Sequence, residues 1–477
     1  MNERPFRLTL IVLGHGVFLA LLVLAWKHTL LRSTFGDTAF QVFKWVSQPG
    51  LDIEAHRYTA AVPQICVKAA MYFGPSLSTL LIIASLAHVL VGYGVFLLCA
   101  HGWRAPVSAL ACAMATVLCT RLTFYSPVLE ANYLLCLPFL LLGYLEARAR
   151  ALAPAHADTP APSHPRTLFT ALLLLLIPLV VHPTGWMVML FCIVFAFALK
   201  WTGRGSTIVL VLATLLWPVL SRWILPPTGY ELALYDGVLQ GLGNFGDLAG
   251  WGSWRHLSMH TFSASTTYLP ALLVLLAVLV CWTVSRRYIL AGLTLGGALA
   301  FILVYLITFH KGDAAVMQDR GILPVATIIA LSASALVARV ATPPMRMAAL
   351  VLATAVLFIK LRDVSFASRP FAEQYRATGT LIAQAQAQGV RRGLVDPDLL
   401  RDRGIQAGWA FPVEILLRSA APGSRYGIVL VDANNPLPAA ALANGDLWLL
   451  DRAWDVDANG NAIFDRSTSP YVRIAPR

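Results

Sequence analysis

Stretches of about twenty apolar residues recur along most of this chain, and nothing else in the sequence limits the fold as strongly. A helix rises about 1.5 Å per residue, so roughly twenty residues cross the ~30 Å of bilayer hydrocarbon. No water reaches the backbone there, so each stretch must be helical. Eleven spans are expected: residues 7–26, 77–100, 106–120, 128–146, 168–182, 185–200, 207–225, 268–284, 289–309, 321–339 and 347–361. Pro183 separates the short fifth and sixth. The 477 residues are 58% hydrophobic and only 13% charged, which leaves too much apolar surface for a water-soluble globule. The expected fold class is an all-α polytopic membrane domain of about eleven transmembrane helices with a small C-terminal α/β soluble domain.

Charge sets the orientation. One set of short loops carries twelve basic residues, among them Arg104, Arg148, Arg150, Arg286, Arg287 and Arg346, against Glu3, Glu146 and Asp158. The positive-inside rule puts that set in the cytoplasm. The N-terminus is then cytoplasmic, and loop 27–76, loop 226–267, the turn 310–320 and the C-terminal tail lie outside. The net charge of +12 is read as this topology signal, since no basic stripe with interleaved aromatics points to nucleic acid. The first span is too long, and too much one of a series, for a cleaved signal peptide. Alanine-rich composition and the lack of eukaryotic retrieval signals point to a bacterial inner membrane, with the tail periplasmic. The seven cysteines mostly fall inside spans and form neither a disulfide framework nor a metal motif.

Three parts follow. Residues 1–361 are the membrane domain, with a first external loop at 27–76 and a Pro- and Ala-rich cytoplasmic linker at 151–167. Residues 362–477 are the external domain. There Phe371–Gln388 reads as a helix stopped by Gly389, and 427–432 and 447–450 read as strands. A hairpin is expected at 455–465, turned by Asn459-Gly460. Asp455, Asp457 and Asn459 resemble the start of a calcium loop, but Arg466 stands where the bidentate acid belongs, so a plain turn is preferred.

Polar residues gather at the outer boundary. Asp37 follows Gly36 in the first external loop, and Phe40, Phe43 and Val46 at helical spacing predict a short amphipathic helix at the membrane surface. Asp37 could take a proton as a general base, or cap that helix, or do both. Asp52 and Glu54 are a second acid pair, followed by His56 and Arg57, which could contact sugar or phosphate or pair with those acids. Glu130 opens the fourth span among Tyr and Asn, where a cavity suits a carboxylate better than lipid. His182-Pro183-Thr184-Gly185 breaks the helix at an outer junction. Lys311, Asp313, Asp319 and Arg320 crowd another, where an Arg fork suits phosphate and pairing of Arg320 with Asp319 is the simpler alternative.

In this order these motifs resemble the GT-C superfamily of integral-membrane glycosyltransferases, closest to its branch of protein O-mannosyltransferases and aminoarabinose–lipid A transferases. Phe35-Gly36-Asp37 with 38–46 is similar to that family's catalytic Asp and following helix, and Glu130 to its acidic motif. His182-Pro183-Thr184-Gly185 is similar to a junction that usually carries a Lys, absent here. Arg320-Gly321-Ile322-Leu323-Pro324 is similar to a late motif in which an aromatic stands at the place of Gly321. The resemblance implies transfer with inversion of a sugar from a polyprenyl-phosphate donor to a glycan, lipid or protein acceptor outside the membrane. It gives Asp37 the role of base, Arg320 and Lys311 the phosphate, and Glu130 and His182 the sugar or phosphate. No cofactor is required, though Asp37 with Asp52 or Glu54 could hold a divalent cation.

Two other classes stay open. A glycan polymerase or ligase of another membrane fold would use loop 226–267, where Arg255, His256 and His260 lie. A transporter would keep polar groups at mid-membrane and show repeats, neither of which is visible.

Overall fold

The computed structural model describes residues 3–54, 58–152, 165–263, 267–339, 342–423, 427–435, 437–456, 458, 463–464 and 469–474. The protein is mostly helical. α1 (Glu3–Lys27), α2 (Thr29–Ser33), α3 (Gly36–Ser47), α4 (Ala61–Met71), α5 (Leu77–Leu97), α6 (Pro106–Leu118), α7 (Pro138–Leu152), α8 (Pro165–Leu179) and α9 (Gly185–Ala198) come first. α10 (Arg204–Ile224), α11 (Gly229–Gly243), α12 (Gly252–Ser258), α13 (Leu269–Val284), α14 (Tyr288–Thr308), α15 (Ala315–Val337) and α16 (Pro343–Phe366) follow. Among the described residues five helical stretches are long and apolar enough to cross a membrane: Pro5–Lys27, Leu77–Gly102, Arg204–Ile224, Tyr288–Thr308 and Ala315–Val337. α6, α8, α9 and α13 are shorter apolar helices.

The span expected at 128–146 is not one helix. Glu130–Leu135 is a 3-10 turn, and the α-helix begins only at Pro138. Proline lacks the N–H that a continuing helix would use, so it opens α7 instead. In the other direction, α15 starts six residues before the expected 321 and takes in Asp319 and Arg320.

α15 is the centre of the bundle. It packs on α6, α13, α14 and the Glu130–Leu135 turn, and nearly every residue from Gln318 to Ala335 is buried. Small side chains allow this. Ala326, Ala330 and Ala333 of α15, and Ala109, Ala113 and Ala115 of α6, are all buried, and such residues let apolar helices approach closely.

The C-terminal segment adds α17 (Arg369–Ala387), β1 (Arg392–Val395), α18 (Pro397–Asp402), α19 (Phe411–Ala420), β2 (Val429–Asp432), α20 (Ala439–Asn444), β3 (Leu447–Leu449), β4 (Arg452–Trp454) and β5 (Val472–Arg473). β2, β1 and β5 pair in parallel in that order, with Arg392 opposite Val429 and Gly393 opposite Val472. β3 and β4 form an antiparallel hairpin. Its turn is Leu450-Asp451, both left-handed with φ of 52° and 60°, which is rare for residues with a Cβ. The hairpin and calcium-like motif expected at 455–465 fall largely outside the described residues.

α3 stands where the spacing predicts a helix, but it is not laid on a surface. Residues from Thr38 to Ser47 are buried on almost every side. The C-terminal segment covers it: Phe40 meets Trp409 and Trp454 edge-on, each with centroids 5.1 Å apart, and Phe43 packs beside Phe464. The apolar stripe of α3 is therefore a protein interface, sharing a core with Val413, Leu416 and Val429.

Candidate functional site

The Asp37 region is built by two distant parts of the chain. Gly36 opens α3 with a φ of +50°, a conformation cheap only for glycine. Phe35 is the N-cap and offers no side-chain cap. The orphan N–H of Gly36 instead donates to Glu414 Oε1 of α19 at 2.7 Å. Asp37 lies one residue inside the helix, half-buried, where the helix dipole favours its negative charge. Around it, the Arg418 guanidinium stacks on Phe35 at 3.9 Å and on Tyr375 at 4.8 Å, and donates from Nε to Thr34 Oγ1 at 3.1 Å and from Nη1 to Thr378 Oγ1. Burial raises the Glu414 carboxyl, partly offset by Arg418 and the Gly36 N–H. Burial likewise brings Arg418 down to about 10.

Asp52 and Glu54 do not join Asp37. Both bind the buried Lys44 ammonium, Asp52 at 3.0 Å, and Asp52 exchanges two hydrogen bonds between its backbone and the Gln64 amide. They neutralise a buried cation, which would otherwise be costly. His56 and Arg57 lie outside the described residues. Among the described residues no three His, Cys, Asp or Glu side chains gather as a metal site.

A cavity of about 510 Å³ lies between α8, α9, α10, α11, α14 and α15. Its wall is mainly apolar, from Leu179, Val181, Trp186, Trp217, Phe301 and Phe309. Arg320, Arg222, His182 and Asp313 are among its polar lining residues. Arg320 Nη2 donates to His182 Nε2 at 2.9 Å, and His182 Nδ1 lies 2.9 Å from Thr184 Oγ1. The Thr184 N–H also points at His182 Nδ1, at 3.2 Å. The bent 182–185 junction thus places a histidine that aims the arginine. Arg222, from the last turn of α10, lies over Tyr235 of α11 at 5.3 Å.

Asp319 faces elsewhere. Successive helical residues point about 100° apart, so Asp319 and Arg320 cannot serve one side of α15. Asp319 is fully buried and accepts from Arg121 Nε at 2.9 Å, Arg121 Nη2 at 3.2 Å, the Leu122 N–H at 3.3 Å, His256 Nε2 at 3.0 Å and Tyr268 OH at 2.5 Å. The alternative Arg320–Asp319 pair does not form: Asp319 pairs with Arg121 and is buried in that network. His260 meets Arg121 at 3.1 Å; burial and that guanidinium bring it down to about 4. Lys311 is exposed, donates to Gln240 Oε1 at 2.5 Å and does not line the cavity. Glu130 starts the 3-10 turn, half-buried; its neighbour Ala131 lines the cavity.

Asp37 and the cavity are connected but not in contact. Phe35 meets Phe371 (centroids 5.5 Å), Phe371 stacks on Tyr125 (5.2 Å), and Tyr125 ends the short turn whose Leu122 binds Asp319. Asp37 is not among the residues lining the cavity.

Sequence reasoning missed Arg222, Arg121, Glu414 and Arg418. Arg222 carried a usable signal, a cation in the last turn of an apolar helix. Glu414 and Arg418, at i and i+4 in an otherwise apolar helix, carried another. Comparison with known proteins finds no matching family model, no matching curated protein and no matching solved structure.

Proposed function

We propose that this protein is a GT-C-like glycosyltransferase that moves one sugar from a polyprenyl-phosphate donor to an acceptor on the outer side of a bacterial inner membrane. In this reading it has eleven spans, a cytoplasmic N-terminus and a periplasmic C-terminal α/β domain. One observation carries the reading: a 510 Å³ cavity with apolar walls holds two guanidiniums, Arg320 and Arg222. A lipid-linked phosphate needs both parts, an apolar groove for the chain and paired cations for the head.

The chemistry is a single displacement. The acceptor oxygen attacks the anomeric carbon, the bond from that carbon to the phosphate oxygen breaks, and polyprenyl phosphate leaves. Arg320, aimed by His182, and Arg222 stabilise the charge on that leaving group. A carboxylate takes the proton of the acceptor hydroxyl. Asp37 is the base that the resemblance designates. A second assignment rests on a specific observation, since Asp313 is the carboxylate that lines the cavity.

The test uses the purified chain in nanodiscs with a panel of polyprenyl-phosphate sugars. Thermal shift reports donor binding and free polyprenyl phosphate reports turnover. Arg320→Ala should lose donor binding. Asp37→Asn should bind donor and not turn over; if Asp313→Asn does so instead, Asp313 is the base. If no donor shifts the melting midpoint of the wild type, the reading fails.

A further inference from the structure

A second, smaller cavity of about 60 Å³ lies on the far side of the Glu130–Leu135 turn, which forms a wall of both: Ala131 lines the large cavity, and Asn132 and Tyr133 line the small one. Arg32, His88 and Thr123 also line it. Arg32 is 1% exposed. Its Nε donates to Ser85 Oγ at 2.9 Å, Nη2 to Ser85 O at 3.2 Å and Nη1 to Phe124 O, and the guanidinium lies 3.8 Å over the Phe124 ring. A guanidinium has five N–H donors and stays protonated, so one N–H on each terminal nitrogen is left over. No carboxylate among the described residues pairs with it. A buried charge without a counter-ion is among the most costly features a fold can hold.

The neighbours are donors too. Tyr133 OH lies 2.6 Å from His88 Nδ1, while His88 Nε2 is buried with no partner. In the tautomer in which the phenol donates to Nδ1, the proton sits on Nε2 as an unused donor. Thr123 is fully buried and its Oγ1 also has no partner. Asn132 spends its amide hydrogens on Thr123 O and Ser126 O. Water could satisfy the imidazole and the hydroxyl, but it would not balance the cation.

We infer that this cavity is an oxyanion site, of a size for one phosphate group, held by Arg32, His88 and Thr123 and separate from the large cavity. The space equals several water volumes by the same measure, which suits a tetrahedral oxyanion. The phosphate could be free or the head of a lipid, since the apolar Leu21 and Val89 also line the cavity. The inference does not depend on the glycosyltransferase reading.

The test is binding of inorganic phosphate, by calorimetry, to the full chain in phosphatidylcholine nanodiscs. A second arm places phosphatidic acid in the discs and measures retention of that lipid. Both use an Arg222→Gln, Arg320→Gln background, which removes the guanidiniums of the large cavity. Saturable binding is expected to persist there, and to weaken about tenfold or more with either Thr123→Val or His88→Gln, as for lost hydrogen bonds to a charged group. Thr123→Val is nearly isosteric, and the melting midpoint of each variant checks folding. Binding in the first arm assigns free phosphate; binding only in the second assigns a lipid head. No saturable binding in either arm, or binding that both folded variants leave unchanged, overturns the inference.

Discussion

Gly36 N–H donates to Glu414 Oε1 at 2.7 Å across 378 residues of chain, so the last part of the sequence supplies the cap for the helix that carries Asp37. A carboxylate at a helix N-terminus takes up an orphan N–H and complements the dipole. Here it is also buried, and burial raises its proton affinity above the usual carboxylate range. The folded state therefore binds the Glu414 proton more tightly than the unfolded chain does. Its contribution to stability is greatest below the unfolded pKa and is lost as pH rises through the folded one. Glu414→Gln keeps an acceptor for Gly36 without the ionisation. Melting midpoints across pH 4.5 to 8 should show the variant gaining on the wild type as pH rises. A constant difference would mean the carboxyl does not ionise in that window. Glu414→Ala removes the acceptor and leaves the Gly36 N–H without its cap, at a cost of about 1–2 kcal/mol by denaturant unfolding.

His260 makes the opposite pH prediction. Burial and Arg121 bring it down to about 4, below the ordinary histidine value near 6.5. Between those values the unfolded chain binds more protons, so stability should rise with pH from about 4 to 6.5. His260→Asn should flatten that rise without changing the slope that Glu414 sets. The measurement is the midpoint difference between variant and wild type at pH 4.5, 5.5 and 7.

How much of this was legible in sequence depended on whether the signal was local. α3 was legible from Phe40, Phe43 and Val46, but its burial was not, because its cover comes from Trp409, Trp454 and Phe464 far along the chain. His182 and Arg320 were legible as boundary residues; their contact at 2.9 Å joins segments 138 residues apart. The partner of Asp319 was not legible, because its neighbour in sequence is Arg320 whereas its partner in space is Arg121. The β3–β4 turn was invisible because Leu450-Asp451 lacks the glycine or asparagine that marks such turns. The continuous span at 128–146 failed because Pro138 restarts the helix.

Asp319 holds Arg121, the Leu122 N–H, His256 and Tyr268 at one fully buried carboxylate. Asp319→Asn keeps the shape, but its amide nitrogen faces donors and the Arg121 charge loses its balance. The cost should be about 3–5 kcal/mol by unfolding, as for other broken buried ion pairs. Asp319 precedes Arg320 on α15, so donor-induced thermal shift should also fall, while Arg121→Lys should lose less of both. If Asp319→Asn costs under about 1 kcal/mol, the network is not what holds this end of α15.

The packing around Gly321 leaves no room for a side chain there. A Cβ there would lie 2.6 Å from Phe309 Cε2 and 2.7 Å from Tyr305 Cδ2. Both rings line the large cavity, and Tyr305 OH donates to Ser253 O at 3.0 Å. The rings already occupy the space that a side chain at 321 would take, so aromatic lining comes from α14 instead of α15. Gly321→Ala must push one ring away, at about 1–3 kcal/mol for overpacking. Phe309 has no hydroxyl anchor and should be the ring that moves, into the cavity or toward solvent. The expected outcome is a modest loss of stability with a larger loss of donor binding. Gly321→Ala combined with Phe309→Leu should restore stability, since the shorter side chain frees the needed volume. If the single variant melts like the wild type and binds donor equally well, the contact is looser than these distances require.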